Sequence, residues 1–131
     1  ILARDRADRA LRATARNLKA AWMDRWVRLE QRDALDLMLP LGSGGTIVAN
    51  PPYGTREGEV ERLFGLYRRL GDSLKKQATG ATAWLLVGEP RLAKSIGLKP
   101  ARRIPLWNGP IECRLLKFEM YEGSKKRKAV K

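Results

Sequence analysis

The run Asn50-Pro51-Pro52-Tyr53-Gly54 brings together groups that could hold a flat amine. A residue before proline is kept extended, and two successive prolines fix φ and remove two N–H donors. The Asn50 side-chain oxygen and the Pro51 carbonyl are two acceptors that could take both N–H bonds of an exocyclic amino group. Tyr53 offers an aromatic face on which an extruded base could stack. The alternative is a proline-rich turn that only ends a strand.

The position of this run favours the first interpretation. It follows Thr46-Ile47-Val48-Ala49, a short β-branched run typical of a central parallel strand. Ligands bind at the carboxyl ends of the strands in open α/β sheets. We therefore predict that Asn50, Pro51, Pro52 and Tyr53 form the catalytic corner of a binding site.

The rest of the chain alternates between strand-like and helix-like patterns, which predicts an α/β sheet with an antiparallel edge. The first helix has an apolar stripe that ends at Trp22, and Trp84 is predicted to lie in the core. Asn108-Gly109 predicts a hairpin. The predicted strands cover residues 1–5, 27–31, 46–49, 83–87, 102–107 and 111–120, and the predicted helices 8–22, 59–77 and 90–96.

Composition excludes several kinds of chemistry. The 131 residues include no His and one Cys, so neither a Cys/His zinc site nor a Ser-His-Asp triad can be built, and we predict no metal. No disulfide can form within the chain, which fits a reducing cytoplasm. No apolar run approaches the roughly 20 residues that span a bilayer, so we predict no membrane partner.

The charge of the chain favours a polyanionic partner. There are 27 Lys and Arg against 14 Asp and Glu, which gives a formal net charge of +13. Nucleic acid is the commonest polyanion that such a surface attracts. The alternative is a solubilising surface with a basic tail at residues 123–131.

The Asn50–Gly54 run is the signature of class I S-adenosylmethionine-dependent methyltransferases that modify amino nitrogens, and the chain resembles them over nearly all of its length. Leu66–Lys75 and Leu106–Cys113 resemble one branch, the bacterial large-subunit (23S) ribosomal RNA guanine-N2 methyltransferase that carries an RNA-binding THUMP domain. The resemblance implies a Rossmann-like sheet, mostly parallel with an antiparallel C-terminal hairpin.

The resemblance also implies roles for individual residues. Asp5 matches the acid that holds the ribose hydroxyls of S-adenosylmethionine, and Asp33 matches the loop acid that meets the adenine amino group. Asn50 matches a position that contacts both the cofactor and the target amine. From the residues alone, Asp5 could be an exposed acid at a helix start and Asp33 a turn former. We interpret Cys113 as a small, buried hydrophobic residue.

The chain departs from this family's pattern at its beginning. The first strand and the Gly-rich loop would precede Ile1, and residues 42–45 do not replace that loop because no helix follows them. Residues 1–122 are thus interpreted as the C-terminal two-thirds or so of a methyltransferase domain, and residues 123–131 as a disordered basic tail. The missing partner would be the N-terminal part of the domain or a THUMP domain in the full-length protein.

The sequence therefore predicts a cytoplasmic RNA methyltransferase that uses S-adenosylmethionine to methylate the N2 amine of a guanine in ribosomal RNA. Three alternatives remain open at this point. The same signature serves adenine-N6 DNA methyltransferases and glutamine-N5 protein methyltransferases. The chain could also be a non-catalytic fragment that binds RNA.

Overall fold

A computed structural model describes residues 1–37, 44–54, 56 and 58–121. The chain divides into two compact units, residues 1–37 and 38–131. Positions 42–43 of the glycine-rich stretch, and the tail at 123–131 that was predicted to be disordered, lie outside the described residues. Across the described ranges, no helix is both long enough and apolar enough to cross a bilayer.

The first unit is a two-stranded parallel sheet with a crossover helix. A parallel pair needs such a crossover because its strands run in the same direction. The register runs from Leu2 opposite Arg28 to Asp5 opposite Gln31. The elements are β1 (Leu2–Asp5), α1 (Asp8–Ala20), a short 3-10 helix (Asp24–Trp26) and β2 (Arg28–Gln31).

The second unit is a four-stranded sheet in the order β3-β4-β6-β5. Strands β3 and β4 are parallel, whereas β6 is antiparallel to both of its neighbours. This mixed arrangement confirms the predicted α/β fold with its C-terminal hairpin. The elements are β3 (Thr46–Ala49), α2 (Glu59–Gln77), β4 (Thr82–Val87), α3 (Pro90–Ser95), β5 (Arg102–Asn108) and β6 (Ile111–Glu119).

The core of the second unit lies on one face of β4. Ala83, Leu85 and Val87 are buried, and the residues between them are half-buried. Trp84, predicted as a core residue, falls on the opposite face because side chains alternate along a strand. The Lys117 ammonium lies over the Trp84 ring, 5.7 Å from its centroid.

Helix α2 packs through residues spaced by seven. Val60, Tyr67 and Leu74 recur on one stripe and are all buried, as the amphipathic pattern predicts. Gly71 on the same helix lies against α3. A Cβ at this position would stand 1.8 Å from the carbonyl oxygen of Ile96, so only glycine allows the two helices to approach this closely.

The apolar stripe predicted for α1 does not extend to Trp22. The helix ends at Ala20, and Trp22 is 85% exposed with φ at 58°. The Trp22 N–H donates to the Lys19 carbonyl and the Met23 N–H donates to the Leu18 carbonyl. These two bonds form a Schellman motif, which turns the chain out of the helix and carries the indole away from the stripe.

The C-terminal hairpin turns one residue later than the Asn108-Gly109 pair predicts. Asn108 still belongs to β5 and is paired with Ile111, so Gly109 and Pro110 form the connection. Gly109 has φ at 59°, which suits glycine at this turn. The shift matters because it leaves the Asn108 side chain on the sheet.

Replacing Trp22 tests the cost of its left-handed backbone. We expect Trp22→Gly to raise the free energy of unfolding by about 1 kcal/mol, because glycine adopts positive φ without a Cβ clash. The matched variant Trp22→Val removes the same exposed indole but keeps the strain, so it should not gain stability. Urea unfolding followed by circular dichroism measures both. Equal stability of the two variants would contradict the explanation.

Candidate functional site

The Asn50–Gly54 corner lies directly after β3, at the carboxyl end of that strand, as predicted. Asn50 is exposed, and neither its side chain nor the Pro51 carbonyl makes a hydrogen bond to any residue that the structure describes. The corner therefore offers two acceptors on adjacent residues. Each of these acceptors can take an N–H bond from a ligand.

The carbonyl of the next residue is already engaged. The Tyr67 hydroxyl donates to the Pro52 carbonyl at 2.8 Å. Tyr67 is completely buried in α2. Burial, and to a lesser degree electrostatic repulsion from Tyr53 and Cys113, raises the pKa of Tyr67 well above its ordinary value, so its hydroxyl keeps the proton that it donates. This bond ties the corner to the helix and distinguishes Pro52, whose carbonyl is used within the fold, from Pro51.

The Tyr53 ring is fixed from two sides. The Asn108 side-chain amide donates to the Tyr53 hydroxyl at 2.8 Å from the end of β5. The ring lies against Gly88, just after β4, where a Cβ would stand 2.8 Å from the ring carbon Cγ. Glycine at 88 thus makes room for the ring. Tyr53 itself is half-buried, so part of it remains open to a partner.

The turn that leaves the corner is built for close packing. Gly54 has φ at 69°, and a Cβ on it would stand 2.9 Å from the Val60 backbone nitrogen. At the start of α2, the Glu59 carboxylate accepts from the Arg56 N–H, and the Glu59 N–H donates to the Arg56 carbonyl. The corner is therefore held between β3 and the first turn of α2.

The two acids predicted to hold the cofactor lie at one edge of the first unit. Asp5 ends β1 opposite Gln31, and Asp33 follows the end of β2. One Asp5 oxygen accepts from the Ala7 N–H at 2.8 Å, and one Asp33 oxygen accepts from the Leu35 N–H at 2.8 Å. Both acids thus accept a hydrogen bond from a nearby backbone N–H, as expected of residues at a helix start or in a turn. Each also keeps a second oxygen that can accept a hydrogen bond from a hydroxyl or an amine.

Three residues that support the corner were not predicted to do so. Tyr67 carried a detectable signal, since its hydroxyl is a polar atom on an otherwise apolar helix stripe and needs a partner. Asn108 was interpreted as a turn residue. Nothing in the sequence around Gly88 indicates that it contacts the corner. Tyr67 lies 15 positions from Pro52 in sequence, and Asn108 lies 55 positions from Tyr53. Gly88 meets the same ring from the end of another strand, so only the fold brings these residues together.

A family model described as "RMKL-like, methyltransferase domain" matches residues 1–117. The chain belongs to the RMKL-like methyltransferase domain family. The family predicted from the sequence is thereby confirmed. This match includes both acids of the first unit and the whole Asn50–Gly54 corner.

Curated relatives share this domain at substantial identity. The ribosomal RNA large subunit methyltransferase K/L of Syntrophotalea carbinolica is 42% identical over 121 residues, covering 90% of this chain and 17% of that protein. The protein of the same name from Methylococcus capsulatus is 38% identical over 120 residues, covering 92% of this chain and 16% of that protein. The chain thus spans a small part of the length of these relatives.

Solved structures confirm the fold class. SMU.472 complexed with SAH superposes with a TM-score of 0.83 at 21% identity, covering 95% of this chain and 32% of that one. TrmN from Thermus thermophilus gives a TM-score of 0.72 at 24% identity, covering 91% of this chain and 36% of that one. At these identities the comparison concerns the fold, which this RMKL-like domain shares with both.

Removing the Tyr67 hydroxyl tests the bond that holds the corner. We expect Tyr67→Phe to lower the free energy of unfolding by about 1 kcal/mol, because the buried ring stays but its hydrogen bond to Pro52 is lost. The matched control is Asn108→Ala, which removes the exposed bond to Tyr53 and should cost less than about 0.5 kcal/mol. Denaturant unfolding of the two variants compares them. A larger cost for Asn108→Ala would contradict this assignment.

Proposed function

We propose that this RMKL-like domain transfers a methyl group from S-adenosylmethionine to the N2 amine of a guanine in large-subunit ribosomal RNA. The observation that carries the proposal is the pair of adjacent acceptors, the Asn50 side chain and the Pro51 carbonyl, beside a fixed aromatic ring. The names of the curated relatives support the choice of ribosomal RNA. The net charge of +13 supports a polyanionic substrate.

The corner would act mainly by positioning. Both N–H bonds of the guanine amine would be donated to the Asn50 oxygen and the Pro51 carbonyl. This arrangement turns the nitrogen lone pair out of conjugation with the ring. The Tyr53 ring would stack on the extruded base, since its edge is held by Asn108 and its face is set by Gly88. No titrating base is required if the amine loses its proton after its nitrogen has formed the new bond.

The residues of the first unit fit the cofactor. The free oxygens of Asp5 and Asp33 would accept from the ribose hydroxyls and from the adenine amino group. When bound, S-adenosylmethionine supplies a methyl group on a positively charged sulfur, which is open to attack by a neutral amine. Holding the two reactants in line is the main contribution that the protein can make to the rate. The SAH complex of SMU.472 supports this choice of cofactor.

Asp5→Asn tests the cofactor site. The amide oxygen can still accept from the Ala7 N–H and keep the turn, but the charged acceptor is lost. We expect the affinity for S-adenosylmethionine, measured by isothermal titration calorimetry, to fall about tenfold or more. Asp24→Asn removes the same charge from an exposed acid on the short 3-10 helix and should bind normally. Equal affinities for all three proteins would refute the ribose role of Asp5.

Asn50→Ala tests the target site. We expect methyl transfer to a ribosomal RNA transcript to fall about 100-fold or more, because the amine loses one of its two acceptors. Transfer of a radioactive methyl group, followed by nucleoside analysis, identifies the modified base. The comparison variant Tyr53→Phe keeps the stacking face but loses the hydroxyl that Asn108 holds, so it should lose less activity than Asn50→Ala.

The substrate is decided by the same assay on three templates. Incorporation as N2-methylguanine in ribosomal RNA supports the proposal. Methylation of adenine N6 in duplex DNA, or of a glutamine in a release factor, would replace it. If no template accepts a methyl group while single-stranded RNA still binds, the chain would be the non-catalytic RNA-binding fragment.

A further inference from the structure

A groove of about 800 Å³ lies between α3 and the β5–β6 hairpin. It is lined by Val87 at the end of β4, by Gly88 directly after it, and by the segment that joins α3 to β5. Its apolar wall includes Leu98, Pro100 and Leu116. A groove of this size, with polar and apolar walls, suits a small part of a polymer such as one or two nucleotides.

The groove carries unbalanced positive charge. Lys94, Lys99 and Arg103 line it, and none of their side chains forms an ion pair with a residue in the described part of the chain. All three residues are exposed. Each of the cations can therefore accept an anionic partner without breaking an existing contact.

The acids of the groove do not cancel these cations. The Glu112 carboxylate pairs with Arg114 at 2.7 Å. The Glu89 carboxylate accepts from both the backbone N–H and the guanidinium of Arg91. These two bonds outweigh the effect of burial and hold the pKa of Glu89 below its usual value. Both acids are thus paired with an arginine, although Arg91 also pairs with Glu61 at 3.6 Å.

The groove begins where the target corner is supported. Gly88 lines the groove and also forms the surface against which the Tyr53 ring packs. A strand of RNA whose base is extruded onto Tyr53 would therefore have its neighbouring phosphates at the mouth of this groove. The three cations line this same groove.

We propose that this groove, defined by Lys94, Lys99 and Arg103, binds the phosphate backbone of the RNA next to the target guanine. The inference rests on the proposed RNA substrate and adds the surface that positions it. Phosphate contacts fix the register of a nucleic acid without reading its sequence. The groove would thus bring a base to Tyr53 but would not choose which base is methylated.

The test uses the full chain and a fluorescently labelled single-stranded oligoribonucleotide. The groove variant carries Lys94→Gln, Lys99→Gln and Arg103→Gln. The control variant carries Arg62→Gln, Arg68→Gln and Lys76→Gln, three exposed cations of α2 that do not line the groove. Both variants lose the same charge, and circular dichroism melting checks that both fold.

The dependence of RNA affinity on salt concentration distinguishes the two variants. Each phosphate contact to a single strand contributes about −0.7 to the slope of the logarithm of the binding constant against the logarithm of salt concentration. We therefore expect the groove variant to have a slope shallower by about 2 and an affinity lower by about tenfold or more. The control variant should keep most of the salt slope and most of the affinity for RNA. Equal losses in the two variants, or an unchanged slope in the groove variant, would overturn the inference.

Kinetics separates this inference from the proposed function. If methyl transfer occurs, the groove variant should show a raised KM for RNA and an almost unchanged kcat, because the contacts bind ground state and transition state alike. If no RNA is methylated, the binding assay still reports on the groove. An acidic peptide that binds wild type and loses affinity in the groove variant, while RNA does not, would assign the groove to a protein partner instead.

Discussion

The hydroxyl of Tyr67 fixes the corner on which the candidate site depends. It donates to the Pro52 carbonyl from a side chain with no exposed surface, so the hydroxyl needs this partner. A buried hydroxyl without a partner costs about 1–3 kcal/mol, which makes any position of the corner without this bond unfavourable. The two prolines limit the backbone, and Tyr67 then selects one arrangement of it.

This hydrogen bond makes the two proline carbonyls of the corner different. The Pro52 carbonyl faces the helix, which leaves the preceding carbonyl of Pro51 and the Asn50 side chain for a ligand. Gly88 and Asn108 apply a similar constraint to the Tyr53 ring. The Pro51 carbonyl and the Tyr53 ring are thereby set before a substrate arrives, and less ordering of them is needed when one binds.

The candidate ligand groups of the two units differ in their chemistry. In the first unit, Asp5 ends β1 and Asp33 follows β2, and both present carboxylate oxygens, which suit hydroxyl and amino groups. In the second unit, the acids near the groove are paired with arginines and three cations are left over. The hydroxyl and amino groups of the cofactor would thus meet carboxylates, and the phosphates of a polyanionic substrate would meet cations.

The sequence by itself determined much of this protein. Period-two and period-3.6 patterns placed the strands and helices within one or two residues, except that α1 ended before Trp22 and the hairpin turned after Asn108 rather than through it. Asn50, Pro51 and Tyr53 stood out because their local chemistry is unusual and is contained in four consecutive positions. Both acids could be named from the resemblance, and both lie at strand ends as that resemblance implies.

Only the tertiary structure decided which groups remain free. Whether a carbonyl, a carboxylate or an ammonium is available depends on partners that lie far away in the chain, as Tyr67 is for Pro52 and Asn108 for Tyr53. The same holds for Gly88, whose missing Cβ matters only because a ring occupies that space. The cations of the groove showed no periodicity of their own, and they line one groove only because the fold places α3, the segment after it and β5 around it. Local patterns define secondary structure because it depends on neighbouring residues, whereas a binding surface depends on contacts made across the fold.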